Sequence, residues 1–421
     1  MDKIIINGPC KLKGSVQISS SKNACLPILT STLLFEGPIH FDSLPELDDI
    51  ETLCQLLETM GAKIIKKDNA TIIDASKINK PFADYELVRK MRASILVLGP
   101  LLGRFGKAEV SLPGGCAIGT RPIDIHLDGL TKMGASITIE QGYVKATVNK
   151  LKGCQIHLPF PSVGATENLM MAAVYAEGET VITNSAMEPE IWALGDFLQR
   201  NGVQIEGHGT SKITIIGTKT TLTADKKPLK VMSDRIEALT YIIAGIMTNS
   251  EVLVENCEPT HFTAVLDLLD SIGCYLIRNK NSVQVLPSKR TLKKFQLSTG
   301  PYPQIPTDVQ AQLVALALVI KGESQITETI FENRFMHVPE LIRMGASITI
   351  KDNSVFIQGG GVLKGAPVMC TDLRASAALV LAALCSEGTS TINRVYHLDR
   401  GYDKMEEKLR GLQANCKRVS E

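Results

Sequence analysis

The chain has 421 residues, with 45 basic and 44 acidic side chains and 44% hydrophobic residues. So balanced a charge leaves no electrostatic footprint for nucleic acid or an anionic membrane surface, and the length exceeds what one core serves, so two or more domains are expected. The stretch Met1-Asp-Lys-Ile-Ile-Ile-Asn-Gly8 has neither the basic region nor the apolar run of a signal peptide, and apolar runs such as Ala375–Cys385 fall short of the roughly 20 residues of a membrane span. A cytoplasmic protein without a nucleic-acid or membrane partner is expected.

Taken in chain order, the predicted elements repeat. Apolar helical segments stop near Gly37, Gly106, Gly178, Asn249, Gly322 and Gly388, the residue types expected just past a helix C-terminus. Fourteen residues before these stops stand Asn23, Arg92, Gly164, Arg235, Asp308 and Arg374. A second series runs Met60-Gly-Ala62, Met133-Gly-Ala135, Asn201-Gly-Val203, Ile272-Gly-Cys274 and Met344-Gly-Ala346, with a degenerate Leu412-Gln-Ala414, at spacings of 68 to 73 residues. Two independent markers thus define six repeats.

Within the repeats the hydrophobic period alternates. Residues 51–60 and 264–272 are amphipathic helices, while 135–140, 212–216 and 347–351 alternate as strands. Segments 309–318 and 375–384 are apolar on nearly every face, which requires burial on all sides. The fold class is therefore mixed α/β, built of repeated β-α units with one buried helix each, in closed domains of several units. The polar stretch 218–228 reads as a linker.

The starts of the buried helices concentrate chemistry. They carry Lys22-Asn23, Arg89–Arg92, Ser162–Thr166, Ser233-Asp-Arg235, Thr307-Asp308 and Thr371-Asp-Leu-Arg374. Free N–H groups and the helix dipole favour an anion there, and Lys or Arg at the same place adds to it. For Ser and Thr, simple capping accounts for the residue. For Lys22, Arg92 and Arg374, an apolar helix start is a costly place for an unanswered charge, so a bound anion or a carboxylate partner is required.

The loop Ser111-Leu-Pro-Gly-Gly-Cys-Ala-Ile-Gly-Thr-Arg-Pro122 sets one thiol, Cys116, five residues from the guanidinium of Arg121. Its composition suits a chemical group on a bending loop and an incidental surface turn equally. The ten cysteines include no C-x-x-C pair and read as reduced thiols, and the scattered histidines give no metal-ligand spacing. No metal and no cofactor are implied.

With Lys22-Asn23, residues 112–126 and 161–166, Pro306-Thr-Asp308, Glu332–His337, Thr371–Ser376 and Asp399-Arg-Gly-Tyr402, the chain resembles the UDP-N-acetylglucosamine 1-carboxyvinyltransferase family over essentially its whole length. The resemblance implies two inside-out α/β barrel domains of three repeats each, with an active site in the cleft between them. It places one domain at residues 22–229, carrying the Cys116 loop, and the other at 1–21 with 230–421. It implies transfer of the enolpyruvyl group of phosphoenolpyruvate to the 3′-hydroxyl of UDP-N-acetylglucosamine, by addition and elimination, at the committed step of peptidoglycan synthesis.

By the same carry-over Cys116 matches the acid and Asp308 the base. Lys22, Asn23, Arg121 and Arg400 match phosphoenolpyruvate ligands, with Asp372, Arg374 and Arg334 in supporting motifs. Arg92, Arg121, Pro122, Ile123, Asp124, Ile125, Ser162, Val163, Gly164, Asp308 and Ile330 match positions at the sugar nucleotide. The partners implied are these small molecules alone, on a monomer. Phe160 and Asp48 stand where some members have lysine, which points to altered substrate packing, and Ser20 stands where some have glycine, just before the expected hinge. A thiol at position 116 implies alkylation by an epoxide such as fosfomycin. Two alternatives stay open: an enzyme that uses shikimate 3-phosphate as acceptor, and a silent paralogue that only binds sugar nucleotide.

Overall fold

The computed structural model describes residues 2–67, 70–113, 119, 122–225 and 227–420. They form two compact units, the first within Ser20–Met232 and the second made of residues up to Ser19 with those from Ser233 onward.

One repeat explains the rest. Strand Gln155–His157 pairs parallel with Glu179–Thr183, and the buried helix Val163–Ala173 makes the crossover that parallel strands require. Helix Pro189–Arg200 then leads to the antiparallel strands Gln204–Glu206 and Lys212–Ile216, the latter pairing with Glu179–Thr183. The same strand order recurs in the sheet built from Gln296–Ser298, Gly322–Thr327, Ser354–Gly359 and Ser347–Lys351. Both marker series mark left-handed turns: all twelve residues have positive φ, from 46° at Asn249 to 111° at Gly61. Glycine adopts that conformation without a Cβ clash, and Gln413, at 67°, carries it in the degenerate sixth copy.

The expected stops need one correction. Gly106 caps helix Leu98–Phe105 directly, whereas Gly37, Gly322 and Gly388 lie a few residues further on, at the entrance to the next strand. The second repeat also differs, because Arg92 opens a 3₁₀ turn, Arg92–Val97, ahead of the α-helix. Pro100 lacks the N–H that an α-helix continuing through this point would use, and it sits in the first turn of Leu98–Phe105, where that donor is dispensable.

Two exchanges close the repeats. Strand Lys13–Gln17 runs into the first unit's helix Lys22–Ser31, yet it pairs parallel with Glu251–Glu255 of the second unit. Leu229 runs into the second unit's helix Arg235–Met247, yet it bridges Phe41 of the first. The sixth sheet is completed by Lys3–Gly8, which lies between Gly388–Asn393 and Cys416–Val419. The stretch read as a linker is docked as well: Leu222–Thr223 pairs with Phe35–Glu36, so the crossing falls later, at Met232–Ser233.

The helices lie inside and the sheets outside. All thirteen residues of Arg235–Met247 are buried, as are Arg374 to Leu384 of Leu373–Cys385. Burial of each such Leu or Ile contributes roughly 1.5–3 kcal/mol, which offsets the entropy of ordering the chain. Packing is close enough that a Cβ on Gly99 would meet the Asn168 carbonyl oxygen at 2.2 Å.

A buried carboxylate secures the first crossing from the second unit's side. Glu237 accepts from the Ser19 backbone N–H at 2.8 Å and from Lys408 Nζ at 2.5 Å, and Lys408 also reaches Ser19 Oγ. Burial pushes the Glu237 carboxyl up from 4.5 to about 7, against the pull of Lys408. The folded state therefore holds this proton more tightly than the unfolded chain, and stability declines as pH rises from about 4.5 through 7. Urea unfolding across that window should show a loss on the order of 3 kcal/mol in the wild type that Glu237→Gln lacks.

Candidate active site

In the second unit two helix starts and the turn ahead of helix Val338–Arg343 meet around one carboxylate. Asp308 lies in the 3₁₀ turn Thr307–Val309 that opens helix Gln310–Leu318. Its Oδ1 accepts from Arg334 at 2.8 Å and its Oδ2 from Arg374 at 3.0 Å. The guanidiniums are buried, at 5% and 4% exposure, while the Asp308 side chain keeps 28%. Burial pulls Arg374 down, but attraction to Asp308 outweighs it and the group ends above its ordinary value. Arg334 Nε and Arg374 Nη1 have no hydrogen-bond partner among the described residues, so each adds a donor beside the carboxylate.

The neighbours explain how this cluster is held. Asp372 caps helix Leu373–Cys385, accepting from the backbone N–H of Arg374 at 2.9 Å and of Ala375 at 3.0 Å. Its observed contacts are those of a cap that orients Arg374. Glu328, which sequence reasoning missed, accepts from Thr299 Oγ1, Thr307 Oγ1 and the Ile330 N–H at 2.7–2.8 Å. It thereby ties the turn before Asp308 to the loop that carries the half-buried Ile330. No periodicity or spacing marks such an acid, since its partners are up to 29 residues away. Arg400 is half-buried and caps the short helix Tyr396–Asp399, whose Asp399 is held by Arg418 at 2.6 and 2.9 Å. A cavity of about 160 Å³ opens beside Arg235, Tyr302 and Gln304. That is below the roughly 300–1,000 Å³ of ligand pockets, so it does not accommodate a sugar nucleotide by itself.

The first unit gathers the other set. Lys22 opens helix Lys22–Ser31 behind the cap Ser21, and its Nζ lies 3.0 Å from Asp49 in the first turn of Asp48–Met60. Asp49 is thus a carboxylate partner of the kind required, and Asp48 stands next to it. Asn23 is the second residue of the same helix. Ser162 caps helix Val163–Ala173, its hydroxyl accepting from Ala165 N–H, with Val163 and Gly164 in the first turn. Phe160, just before, is exposed. Ile123 is buried ahead of helix Asp124–Lys132, whereas Pro122 and Asp124 are exposed and Ile125 is intermediate. Cys116 and Arg121 lie outside the described residues.

His126 fastens this patch to the core. Asn168 Nδ2 donates to the Ile95 carbonyl at 3.1 Å and meets His126 Nδ1 at 3.0 Å, while Asn168 Oδ1 accepts from the Gly99 N–H at 2.6 Å. His126 Nδ1 is therefore the acceptor, and the neutral ring carries its proton on Nε2. Burial, then the charge of Arg92, lowers its pKa from 6.5 to about 4. A base held neutral in this way stabilises the fold above its unfolded pKa, and that stability is lost as pH falls from 6.5 towards 4. Thermal unfolding of wild type and His126→Gln between pH 7 and 4 should diverge, with only the wild type losing on the order of 3 kcal/mol through this group.

Fold and site together define a sixfold-repeat α/β protein whose charged side chains collect at the starts of its central helices. The family described as EPSP synthase (3-phosphoshikimate 1-carboxyvinyltransferase) matches residues 6–409, and the chain belongs to that family. A UDP-N-acetylglucosamine 1-carboxyvinyltransferase from Hydrogenovibrio crunogenus is 49% identical over 421 residues, all of both chains. One from Geobacter metallireducens is 50% identical over 423 residues, again all of both. Among solved structures, the enolpyruvyl transferase NikO from Streptomyces tendae superposes with TM-score 0.89 at 24% identity, covering 100% of this chain and 99% of NikO. EPSP synthase from Acinetobacter baumannii gives TM-score 0.76 at 22% identity, with full coverage of both. These two likenesses bear on the fold alone.

Proposed function

We propose that this chain transfers the enolpyruvyl group of phosphoenolpyruvate to the 3′-hydroxyl of UDP-N-acetylglucosamine, releasing phosphate and committing the sugar to peptidoglycan. The observation that carries this is the 49–50% identity, end to end, with enzymes bearing that name. A shikimate acceptor is disfavoured, since the EPSP synthase structure shares only 22% of its sequence.

In this reading a proton adds to the methylene carbon of phosphoenolpyruvate as the sugar oxygen attacks the adjacent carbon, which gives a tetrahedral ketal. Loss of a methyl proton and cleavage of the carbon–phosphate oxygen bond restore the double bond. Cys116 supplies the first proton, since a thiol near its reference pKa of about 8.5 is largely protonated at neutral pH. Asp308 takes the hydroxyl proton, with its carboxylate fixed by Arg334 and Arg374. Lys22, Asn23, Arg121 and Arg400 hold phosphoenolpyruvate, where fixed positive charge stabilises the departing phosphate. Arg92, Arg121, Pro122, Ile123, Asp124, Ile125, Ser162, Val163, Gly164 and Ile330 surround the sugar nucleotide, with Asp308 at its reacting hydroxyl. The residue range 22–229 serves as the domain with the thiol loop. We read the enzyme as a cytoplasmic monomer, in keeping with nine described cysteines that are free thiols. No described helix is long and apolar enough to cross a membrane.

Phosphate release should require UDP-N-acetylglucosamine and not occur with shikimate 3-phosphate; the reverse preference would overturn the assignment. Cys116→Ser and Asp308→Asn should each lower kcat by about 100-fold or more with the fold retained by circular dichroism. Fosfomycin should add its mass once to the intact protein, and Cys116→Asp should abolish that addition.

A further inference from the structure

We infer that Glu328 is a positioning residue: its buried carboxylate fixes both the turn that carries Asp308 and the loop that leads to Arg334. The inference rests on the role of Asp308 as base proposed above. Glu328 is 2% exposed, and four donors meet its two oxygens. Oε1 accepts from Thr299 Oγ1 at 2.8 Å, from the Ile330 N–H at 2.7 Å and from the Phe331 N–H at 3.3 Å. Oε2 accepts from Thr307 Oγ1 at 2.8 Å.

Other repeats show what this position does where no base follows. In the third and fourth copies the residue after the sheet strand is a left-handed asparagine, Asn184 at φ 54° and Asn256 at φ 56°. Each donates its amide to the end of the parallel neighbour strand. Asn184 Nδ2 reaches the Leu158 carbonyl at 2.8 Å, and Asn256 Nδ2 reaches the Ile18 carbonyl at 2.7 Å. Thr299 holds that strand-end position in the fifth copy, its N–H donating to the Thr327 carbonyl as Leu158 does to Thr183 and Ile18 to Glu255. Glu328 follows Thr327 without the left-handed φ and reverses the polarity, accepting from the Thr299 hydroxyl. An asparagine is therefore enough to close a sheet end. The carboxylate adds the bond to Thr307, in the copy whose helix start bears Asp308.

Donor counting fixes the directions. Thr299 Oγ1 accepts from the Thr329 N–H at 3.0 Å, and a carboxylate has nothing to donate, so the threonine proton goes to Glu328. The Thr307 proton goes there for the same reason, which ties the first residue of the 3₁₀ turn Thr307–Val309 to the end of the sheet.

Both arms lead to the base. Asp308 is the residue after Thr307, so the Thr307 bond fixes the backbone from which the carboxylate projects. The bonds from the Ile330 and Phe331 N–H groups curl the loop that reaches Arg334 three residues later, and Arg334 donates to Asp308 Oδ1 at 2.8 Å. Glu328 thus sets the Asp308–Arg334 pair from both sides through their neighbours in the chain. A displacement of about 1 Å at such a pair costs up to about 100-fold in rate.

The test is steady-state phosphate release by wild type, Thr307→Val, Thr307→Ser, Glu328→Asn and Asp308→Asn, each checked for folding by circular dichroism. Thr307→Val, which removes the hydroxyl at nearly constant shape, should lower kcat about tenfold with both KM values within about twofold. Thr307→Ser, which keeps the hydroxyl, should hold kcat within about twofold of wild type. Glu328→Asn, which installs the asparagine of the sister copies, should fold and lower kcat at least as far as Thr307→Val. Wild-type kcat in folded Thr307→Val or Glu328→Asn overturns the inference. So does a loss carried by KM in Thr307→Val, or an equal loss in Thr307→Ser. Should Glu328→Asn fail to fold, the two Thr307 variants decide alone in the same sense. Full turnover by Asp308→Asn would instead remove the base on which the inference rests, a failure separable from the others.

Discussion

The central helices are apolar on every face, yet charged side chains stand at their first turns, and each such charge has to be answered inside the protein. An ion taken out of water loses several kcal/mol of solvation even after relaxation, so a guanidinium at 4% exposure persists only with a partner. Asp308 answers Arg374 and also holds Arg334 from a neighbouring turn, and Asp49 answers Lys22. The same electrostatic requirement that makes these starts expensive fixes the side chains there in one geometry. Reactive groups on such anchors hold their orientation without loop ordering at the moment of reaction.

The repeat makes this arrangement economical in sequence. Positions 23, 92, 164, 235, 308 and 374 are equivalent in the six copies and stand at the same place relative to a buried helix, yet carry Asn, Arg, Gly, Arg, Asp and Arg. One scaffold position thus presents an amide, three cations, a carboxylate and a bare backbone. The exchanged strands add a constraint of their own. Because Lys13–Gln17 and Leu229 each pair in the unit other than the one whose helix they enter, the second unit's sheets need two separate stretches of chain, and the first unit's reach past its last full strand to Leu229.

Much of this was legible in sequence because it depends on local rules. Left-handed turns demand glycine or asparagine at most of their positions, so Gly61 and Asn249 announce themselves, and all-round apolarity announces burial for 375–384. What stayed hidden depends on contacts across the chain. Glu328 looks like any acid until folding brings Thr299 and Thr307 beside it. The docked stretch at Leu222 reads as a linker for the same reason: its polarity is local, but its pairing with Phe35 is not. The 3₁₀ start at Arg92 follows from Pro100 eight residues on, a local cue overridden by the stronger apolar pattern around it. The roles of Cys116 and Arg121 came from resemblance, since spacing alone suits an incidental turn equally well.

The two kinds of support suit two kinds of chemical task. The base proposed at Asp308 needs a fixed direction, and two buried guanidiniums supply it, one of them oriented by the cap at Asp372. The thiol stands instead in a stretch with three glycines and a proline at either end, residues 111–122, where the sequence provides no helix start and no apolar packing. In the proposed mechanism the sugar oxygen is aligned before the methylene carbon is protonated, so the proposed base is the group whose direction the core fixes.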